Sequence, residues 1–479
     1  MNRALLAALV LALCARAAPL FFGDEHYGDA PVRIELAERW AQDPHLWHGY
    51  LETWQYGPLH LTLIGGLLRL LGDRVVAARL LSLACGLVGV WLLYRVAERE
   101  RGAAAAAWAG FGLALSPLHI QASATGASEA VFLALFLGSL LLVLRDRVFS
   151  AAVVLGAAGL VRYDGWLYVP LFAALLYVRR PTLMRAVGFC AVALLPAICW
   201  LLVNARWTGD PLAPIHHIDR DHAMLAAGLV ASLGTLRARL EGFFHWPLAI
   251  CVVATPVLGA AGLWGSAHAL LRRTRGWELA AIAFLPAAYF TFRAAVLLDF
   301  RPMARFTMVA AALALIFAND ALAALGRPAR ALAVAFALVT PIFLAAVSWN
   351  RTGPVAEWAR PMSPIGSLPP GIREAARWLR ENLRSDDVVL LDGSEYYLDI
   401  PLAFAARLPE PQLIRASWKN DFDQRLQRLT PTLAVLVVRG TLGNFQDERF
   451  GFRGLQFCAA QRYTYATIYR TCAQARSAP

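Results

Sequence analysis

Long apolar runs separated by short arginine-rich segments constrain this chain more than any other feature of its sequence. Such runs recur from the N-terminus to about Ser348, and about 20 apolar residues in a helix are enough to cross a bilayer. Hydrophobic residues make up 58% of the 479 residues and charged residues only 16%. Soluble domains are about half apolar and a quarter charged. The sequence therefore predicts a polytopic α-helical membrane protein with about eleven transmembrane helices.

The arginine clusters predict the orientation of these helices. Two apolar segments separate each cluster from the next, and short cytoplasmic loops carry an excess of basic residues. An odd number of crossings from a cytoplasmic N-terminus places the chain after Trp349 outside the cytoplasm. The net charge of +12 is thus explained by topology and not by nucleic-acid binding. The predicted spans are about 3–22, 76–94, 103–117, 128–144, 148–161, 165–178, 186–204, 246–270, 278–298, 304–322 and 331–348.

Residues 2–22 allow two interpretations. The segment Ala15-Arg16-Ala17 resembles a signal-peptide cleavage site, but the run is also a suitable first transmembrane helix, which we favour. Either interpretation leaves the following loop, 23–75, on the outer side together with a second long loop, 205–245. Within the first loop, Pro58–Leu71 is too short to span comfortably and predicts a helix lying at the interface or dipping into it.

The region after residue 350 has the pattern of a small α/β domain. Residues 372–379 have helical spacing, whereas Asp387–Leu391, Leu433–Val438 and 462–470 have the pattern of strands. We therefore predict a transmembrane domain at 1–350 and an extracytoplasmic soluble domain at 351–479. Cys458 and Cys472 could form a disulfide there if this domain lies outside the cytoplasm.

The densest polar motif directly follows the first helix, at Gly23–Asp29. Its adjacent carboxylates, Asp24 and Glu25, would cost several kcal/mol in hydrocarbon, so their position at a helix exit needs a reason. One interpretation is a solvated loop that ends the helix. The other is a carboxylate held at the membrane surface, where it can accept a proton or bind a cation.

Three motifs carry a resemblance to a known family. Asp24-Glu25-His26-Tyr27-Gly28 resembles the Asp-Glu motif that opens the first outer loop of protein O-mannosyltransferases, with one residue fewer after the acidic pair. Residues 56–60 resemble the proline-led apolar stretch after that loop, and 116–121 followed by Glu129 is similar to the second outer loop and next helix. The same motifs resemble bacterial aminoarabinose transferases and other family 39 membrane glycosyltransferases, which have the GT-C architecture.

The resemblance implies a reaction. The donor of this family is a polyprenyl-phosphate-linked sugar, and the first acidic residue of the motif is the catalytic base. Asp24, beside Glu25, would take a proton from an acceptor hydroxyl or amine, and the freed nucleophile would displace the lipid phosphate with inversion at the anomeric carbon. A phosphate leaves without a proton, so no general acid of the glycosidase kind is needed. The leaving group instead needs positive charge or hydrogen-bond donors.

Several polar side chains are candidates for binding the substrate or its phosphate. Arg301 and Arg305 lie at the mouth of the predicted tenth helix, and Arg162 lies between the fifth and sixth. The planar fork of arginine suits phosphate oxygens, although arginines also anchor helix ends by snorkelling. Glu129 could contact substrate or stabilise the dipole of its helix. The full set of predicted binding residues is His26, Tyr27, His60, His119, Glu129, Arg162, Arg301 and Arg305.

A histidine- and aspartate-rich motif lies in the second long outer loop. Three histidines and two aspartates within seven residues could bind a divalent metal or the donor phosphate, but outer polar loops also collect such residues, and the spacing matches no zinc motif. A divalent metal is the only cofactor that the sequence suggests. The candidate ligands are His216, His217, Asp219, Asp221 and His222.

Three functions were compared. A transporter or flippase for a lipid or small solute should place ionisable groups near the bilayer midplane, whereas here the acidic groups gather in outer loops. A scaffold that presents the C-terminal domain needs no acidic loop. We therefore predict a hexosyl- or pentosyltransferase of the cell envelope, multi-pass in the inner membrane, that uses a polyprenyl-phosphate sugar and an acceptor that the sequence leaves open.

Overall fold

A computed structural model describes residues 2–393, 396–416, 419–438 and 440–472. The chain divides into two compact units. Unit 1 comprises Met1–Phe22, Arg33–Ala346 and Pro361–Ile365, and unit 2 comprises Gly23–Val32, Val347–Arg360 and Gly366–Pro479. The acidic motif after the first helix is therefore a part of the mainly C-terminal unit.

Helices form almost all of unit 1. A π-helical turn follows the fifteenth helix at Arg293–Leu297, and a 3₁₀ turn precedes the sixteenth at Ala304–Thr307. The helices are α1 Arg3–Phe22, α2 Ala30–Gln42, α3 Tyr50–Thr53, α4 Pro58–Leu71, α5 Arg74–Arg101, α6 Ala103–Leu115, α7 Pro117–Ala122, α8 Ser128–Leu144, α9 Val148–Val161, α10 Gly165–Arg179, α11 Leu183–Thr208, α12 Ala213–Leu233, α13 Thr235–Val253, α14 Pro256–Arg272, α15 Trp277–Phe292, α16 Met308–Leu315 and α17 Ala318–Ser348.

Membrane-spanning character is distributed over many of these helices. Five stretches are long and apolar enough to cross a bilayer: Arg3–Phe22, Arg74–Arg101, Leu183–Thr208, Trp277–Leu297 and Ala318–Ser348. Six shorter apolar helices accompany them: Pro58–Leu71, Ala103–Leu115, Ser128–Leu144, Val148–Val161, Gly165–Arg179 and Ala304–Leu315. The prediction of a polytopic helical membrane protein is confirmed. The predicted orientation of the helices stays a prediction.

The segment 205–270 differs most from its prediction. It was expected to contain a long loop followed by one span at 246–270, but it forms α12, α13 and α14. The polar histidine motif hid the helical pattern of α12. The expected span breaks at Thr255, whose φ is +67°, and α14 begins with Pro256. Proline has no N–H to donate to the preceding turn and disfavours helical geometry in the residue before it.

The predicted short helix of the first loop forms as α4. Pro58 occupies its first turn, and Gly72, with φ +76°, ends it by donating its N–H to the carbonyl oxygen of Leu68. Proline at the start and a left-handed glycine at the end are the usual helix boundaries. The interfacial position of α4 stays a prediction.

Unit 2 contains a mixed six-stranded sheet. The central strands pair in parallel, β1 with β2 and with β3, and the remaining pairs are antiparallel, in the order β2-β1-β3-β6-β5-β4. The strands are β1 Val389–Asp392, β2 Leu413–Arg415, β3 Leu433–Val437, β4 Arg449–Phe452, β5 Leu455–Arg462 and β6 Ala466–Thr471. The helices are α18 Pro354–Ala359, α19 Pro370–Asn382, α20 Tyr396–Ala406 and α21 Lys419–Arg428, with 3₁₀ turns at Arg360–Met362 and Glu410–Gln412. The predicted C-terminal α/β fold is confirmed.

Two features of unit 2 bear on the site. Helix α19 buries Ile372, Ala375, Ala376 and Leu379, which recur at helical spacing, against the sheet core, and this leaves Arg373 off the buried face. Cys458 and Cys472 form a disulfide that ties β5 to the end of β6.

Candidate functional site

The acidic loop that follows α1 is bonded to the segment that leads into α19. Oδ2 of Asp24 accepts a hydrogen bond from Nη2 of Arg373 at 2.5 Å and another from the backbone N–H of Leu368 at 2.7 Å. The partners lie 349 and 344 residues away in sequence. The backbone N–H of Asp24 also donates to the carbonyl oxygen of Gly366 at 2.9 Å. Unit 2 thus holds both the main chain and the carboxylate of this loop in place.

The two carboxylate oxygens of Asp24 have different surroundings. Both side-chain bonds go to Oδ2, and Oδ1 accepts no hydrogen bond from the residues that the structure describes. The side chain is 15% exposed. A carboxylate with one oxygen fixed and the other unoccupied is oriented and still has lone pairs for a proton donor. Asp24 can therefore accept a proton from a hydroxyl or amine placed at Oδ1.

Arg373 is itself held in position. Its Nη1 donates to Oδ1 of Asn350 at 3.1 Å, and its guanidinium lies over the ring of Trp349, 4.4 Å from the centroid. Arginine stacks on aromatic faces in this way and can still donate hydrogen bonds in the plane of its own guanidinium group. The position of the Asp24 carboxylate therefore depends on residues at the end of α17 and on α19.

The main chain of the acidic loop passes very close to Gly366. A Cβ at this position would lie 2.3 Å from the carbonyl oxygen of Asp24, well inside van der Waals contact. Glycine is therefore required here, because it lets two backbone segments approach closely.

His26 lies in the same loop, and its ring is bonded to the segment that leads into α19. Its Nδ1–H donates to the carbonyl oxygen of Ser367 at 3.0 Å. Burial lowers the pKa of His26, and the positive charge of Arg360 lowers it further, against the opposing effects of the Ser367 carbonyl and Asp24. The neutral ring leaves Nε2 as an acceptor. The other predicted residues of this loop, Glu25 and Tyr27, are buried.

A second charged centre lies in unit 1 around Arg162, between α9 and α10. Nη1 donates to Oε1 of Glu129 at 2.8 Å, while Nε and Nη2 donate to Oδ2 of Asp164 at 3.2 and 3.0 Å. The side chain of Arg162 is only 8% exposed. A buried guanidinium held by two carboxylates can exchange one of them for another oxyanion, and phosphate oxygens fit its fork equally well.

Arg305 belongs to the same region. The ring of Phe306 lies 5.5 Å from the guanidinium carbon of Arg162 and 5.3 Å from that of Arg305. Both arginines line a cavity with Glu129 and Asp164 on its polar side and apolar or aromatic side chains such as Tyr168 on the other. Arg301, by contrast, is exposed and does not line this cavity.

The predicted ligands His60 and His119 are both fully buried in unit 1. His119, on α7, has Nδ1 2.7 Å from Nη2 of Arg16, a fully buried arginine of α1. Arg16 also donates to the carbonyl oxygens of Ala12 and Ala114, so this pair joins helices. His60 has no hydrogen bond at either ring nitrogen within the described chain. His119 thus accepts a hydrogen bond from Arg16, the nitrogens of His60 are unsatisfied, and the binding role of both histidines stays a prediction.

The five predicted metal ligands do not converge on one point. His216 pairs with Asp210 at 2.7 Å, and His217 contacts the hydroxyl of Tyr50 at 2.6 Å. Asp219 instead pairs with Arg293 at 2.8 Å, and His222 stacks on Phe300. The remaining member, Asp221, lies 3.4 Å from His217.

A different group could hold a metal. Ligand atoms of His45, His48 and Glu52 lie within 4.8 Å of one another, a separation that a single ion can bridge. Nε2 of His45 lies 2.8 Å and Nδ1 of His48 lies 2.5 Å from Oε1 of Glu52. The spacing of these three residues resembles no metal motif, so the sequence did not predict this group.

The partners of Asp24 were not predicted from the sequence. Arg373 was visible as part of a predicted helix, but no local pattern links it to a residue near the N-terminus. The backbone N–H of Leu368 and the carbonyl of Ser367 carry no side-chain signal at all. Asp24 was identifiable because its motif is contiguous.

The fold and the sequence were compared with known proteins. Residues 22–179 match the family described as Alpha-(1->6)-mannopyranosyltransferase, N-terminal domain. A comparison with curated protein sequences found no match. The crystal structures of ArnT from Cupriavidus metallidurans, in the apo state and bound to undecaprenyl phosphate, align over 98% of both chains, with TM-scores of 0.64 and 0.65 and 15% and 16% identity.

A more distant structural relative is the archaeal oligosaccharyltransferase AglB from Archaeoglobus fulgidus, solved with an inhibitory peptide and a dolichol-phosphate. It aligns with a TM-score of 0.50 and 13% identity over 91% of this chain and 69% of that chain. The chain therefore has an ArnT-like fold, and the predicted resemblance to GT-C membrane glycosyltransferases is confirmed.

Proposed function

We propose that this chain is an enzyme that transfers a sugar from a polyprenyl-phosphate donor to an acceptor on the extracytoplasmic face of the membrane. The observation that carries the proposal is the Asp24 carboxylate, oriented through Oδ2 and open at Oδ1, two residues after the membrane-spanning helix α1. The proposal is supported by a fold shared over 98% with a protein whose crystal structure holds undecaprenyl phosphate.

Asp24 acts as the general base in this proposal. Oδ1 takes the proton from an acceptor O–H or N–H while the freed electron pair attacks the anomeric carbon. The bond between that carbon and the phosphate oxygen breaks, and polyprenyl phosphate leaves with the electron pair as its anion. Attack from the side opposite the leaving group inverts the anomeric centre. General-base catalysis is typically worth about 100- to 10,000-fold.

Arg162 and Arg305 bind the donor phosphate in this proposal. Both line a cavity of about 20 Å³ whose remaining wall is largely apolar, so the side chains around it must move apart to admit a phosphate attached to a hydrocarbon chain. A cationic fork next to the developing phosphate anion stabilises the leaving group. Glu129 and Asp164 keep the Arg162 guanidinium oriented before the donor arrives.

Reconstitution with a defined donor tests the proposal. The purified chain is placed in liposomes with polyprenyl-phosphate mannose, the first sugar to test because of the family match, and donor consumption is measured for the wild type and for Asp24→Asn. We expect the wild type to release polyprenyl phosphate and Asp24→Asn to lose about 100- to 10,000-fold in turnover. Asp43→Asn is the matched control, because its carboxylate is 93% exposed in the same predicted loop.

Four outcomes would contradict parts of the proposal. Neither binding nor consumption across a panel of polyprenyl-phosphate sugars would refute the enzyme assignment. Full turnover by Asp24→Asn would show that another group is the base, and a product with retained anomeric configuration, read by NMR coupling constants, would exclude direct displacement. Movement of an intact lipid-linked sugar across the bilayer would favour the alternative function of a flippase.

We also propose that the N-terminus is cytoplasmic and that residues 351–479 form an extracytoplasmic domain. The disulfide between Cys458 and Cys472 supports this location, because disulfides persist in oxidising compartments. In a variant without the five free cysteines, an impermeant thiol reagent should label Ser385→Cys on intact spheroplasts and Arg147→Cys only after lysis. The reverse pattern would refute the orientation.

A further inference from the structure

A broad arginine-lined pocket lies at the end of the helices that carries the basic clusters. It has a volume of about 890 Å³ and is formed by the C-terminal ends of α5, α8 and α10 together with the connection between α14 and α15. Six arginines and three glutamates line it, so its lining has an excess of three positive charges. We call this feature the arginine pocket and define it by Arg95, Arg99, Arg145, Arg179, Arg273 and Arg275.

The glutamates of the arginine pocket are already neutralised by some of these arginines. Arg95 pairs with Glu98 at 2.6 Å. Arg179 holds the buried Glu100 through two bonds of 3.0 and 2.8 Å and lies 3.5 Å from Glu278. These pairs satisfy Glu98 and Glu100, whereas Oε2 of Glu278 and Nε of Arg179 have no hydrogen bond within the described chain.

Four arginines of the pocket pair with no carboxylate in the described chain, and one of them, Arg275, is bonded to the main chain. Within the described chain, Arg99, Arg145 and Arg273 form no ion pair, although Arg273 lies over the ring of Trp277 at 5.9 Å. The wall beside them is held by reciprocal bonds. Arg275 donates to the carbonyl oxygen of Arg99 at 2.7 Å, and Arg101 donates to the carbonyl oxygen of Arg275 at 2.6 Å. Three uncompensated guanidinium groups on a fixed wall form an anion site.

We infer that the arginine pocket binds the phosphate headgroup of an anionic phospholipid. Basic pockets between transmembrane helices on the cytoplasmic side bind such headgroups. The volume of about 890 Å³ leaves room for a headgroup with two phosphates. Apolar side chains suited to acyl chains lie at the same helix ends, since Leu271 is 83% and Val178 is 51% exposed. Trp277 beside Arg273 is a residue type enriched at membrane interfaces.

Lipid binding by the purified full-length chain tests the inference. Delipidated protein in neutral detergent is titrated with cardiolipin, phosphatidylglycerol, phosphatidylcholine or inorganic phosphate, and binding is followed by native mass spectrometry and thermal shift. The test variant is Arg99→Gln/Arg145→Gln/Arg273→Gln. The matched control is Arg147→Gln/Arg272→Gln/Arg327→Gln, three exposed arginines that do not line the pocket.

The wild type and the control should bind and be stabilised by the two anionic lipids and not by phosphatidylcholine. The test variant should lose roughly 100-fold in affinity, from about fivefold for each arginine. An equal loss in the control, or no loss in the test variant, would overturn the inference. Full stabilisation by inorganic phosphate alone would show a free-anion site and refute the lipid assignment. If the triple variant does not fold, Arg145→Gln alone should still lose about fivefold, and unchanged binding would overturn the inference.

Discussion

The molecule contains two carboxylate–arginine centres that are built in opposite ways. At Asp24 one carboxylate faces one guanidinium, and one of its oxygens is left open. At Arg162 one guanidinium faces two carboxylates, and the cation is the shared group. The first centre suits the acceptance of a proton, and the second suits the exchange of one anion for another.

The two centres also differ in how many residues separate their partners along the chain. Arg162 lies 33 residues from Glu129 and two from Asp164, so adjacent helices assemble this centre. Asp24 meets Arg373 only across 349 residues. A centre made from neighbouring helices can form without the C-terminal part of the chain. The Asp24 centre forms only when unit 2 is completely folded.

The largest effect is expected at the Arg162 centre. Arg162→Gln leaves Glu129 buried without its cation, and breaking a buried pair in this way costs about 3–5 kcal/mol. We expect a marked drop in the midpoint of thermal unfolding in detergent and a loss of donor turnover. Arg237→Gln, an exposed arginine on α13, is the control and should change neither.

A double variant separates the two roles of Arg162. Arg162→Gln/Glu129→Gln removes both charges and should recover most of the thermal stability without restoring turnover. Recovery of turnover together with stability would show that the guanidinium serves the fold and does not bind phosphate.

A smaller effect is expected at Arg373. Arg373→Gln removes one of the two donors to Oδ2 of Asp24, and a hydrogen bond to a charged group is worth about 1.5–3 kcal/mol. Because the Leu368 N–H remains, we expect turnover to fall about tenfold, with Arg373→Lys intermediate, since it keeps the charge but loses the stacking on Trp349. Arg380→Gln on the exposed side of α19 is the control. A loss as large in the control would assign the effect to unit 2 stability.

The smallest effect concerns pH. The pKa of His26 lies below its unfolded value of 6.5 because of burial, so the unfolded chain binds the proton more readily. This contribution favours the folded state above pH 6.5 and is lost as the pH falls through that value. His26→Asn should therefore lower thermal stability slightly at pH 7.5 and reduce the drop between pH 7.5 and 5.5. An unchanged drop, measured by thermal unfolding at both pH values, would show that folding does not lower the pKa of His26.

The sequence predicted contiguous and periodic features well. The helices at 128–144 and 148–161 form with the predicted boundaries. Arginines end the apolar run at each of these helices, and this marks where the helix stops. The strands β2, β4 and β5 were not predicted, since short or exposed strands carry a weak pattern. In the site, Asp24 was found through its motif. Its partners are backbone groups and a side chain of a helix distant in sequence, and these carry no local pattern. The pairing of His119 with Arg16 could not be foreseen, because it depends on how α1 packs against α7.

The close passage of the Asp24 main chain beside Gly366 has a consequence for biogenesis. The acidic loop leaves the ribosome early, yet the glycine and the arginine that complete its surroundings are synthesised more than three hundred residues later, after every membrane-spanning helix. Contacts so distant in sequence form late in folding. A chain truncated near residue 350 would insert in the membrane with its acidic motif present but without the hydrogen bonds that orient Asp24. If Asp24 is the general base that we propose, nascent protein would therefore remain inactive until unit 2 has folded around it.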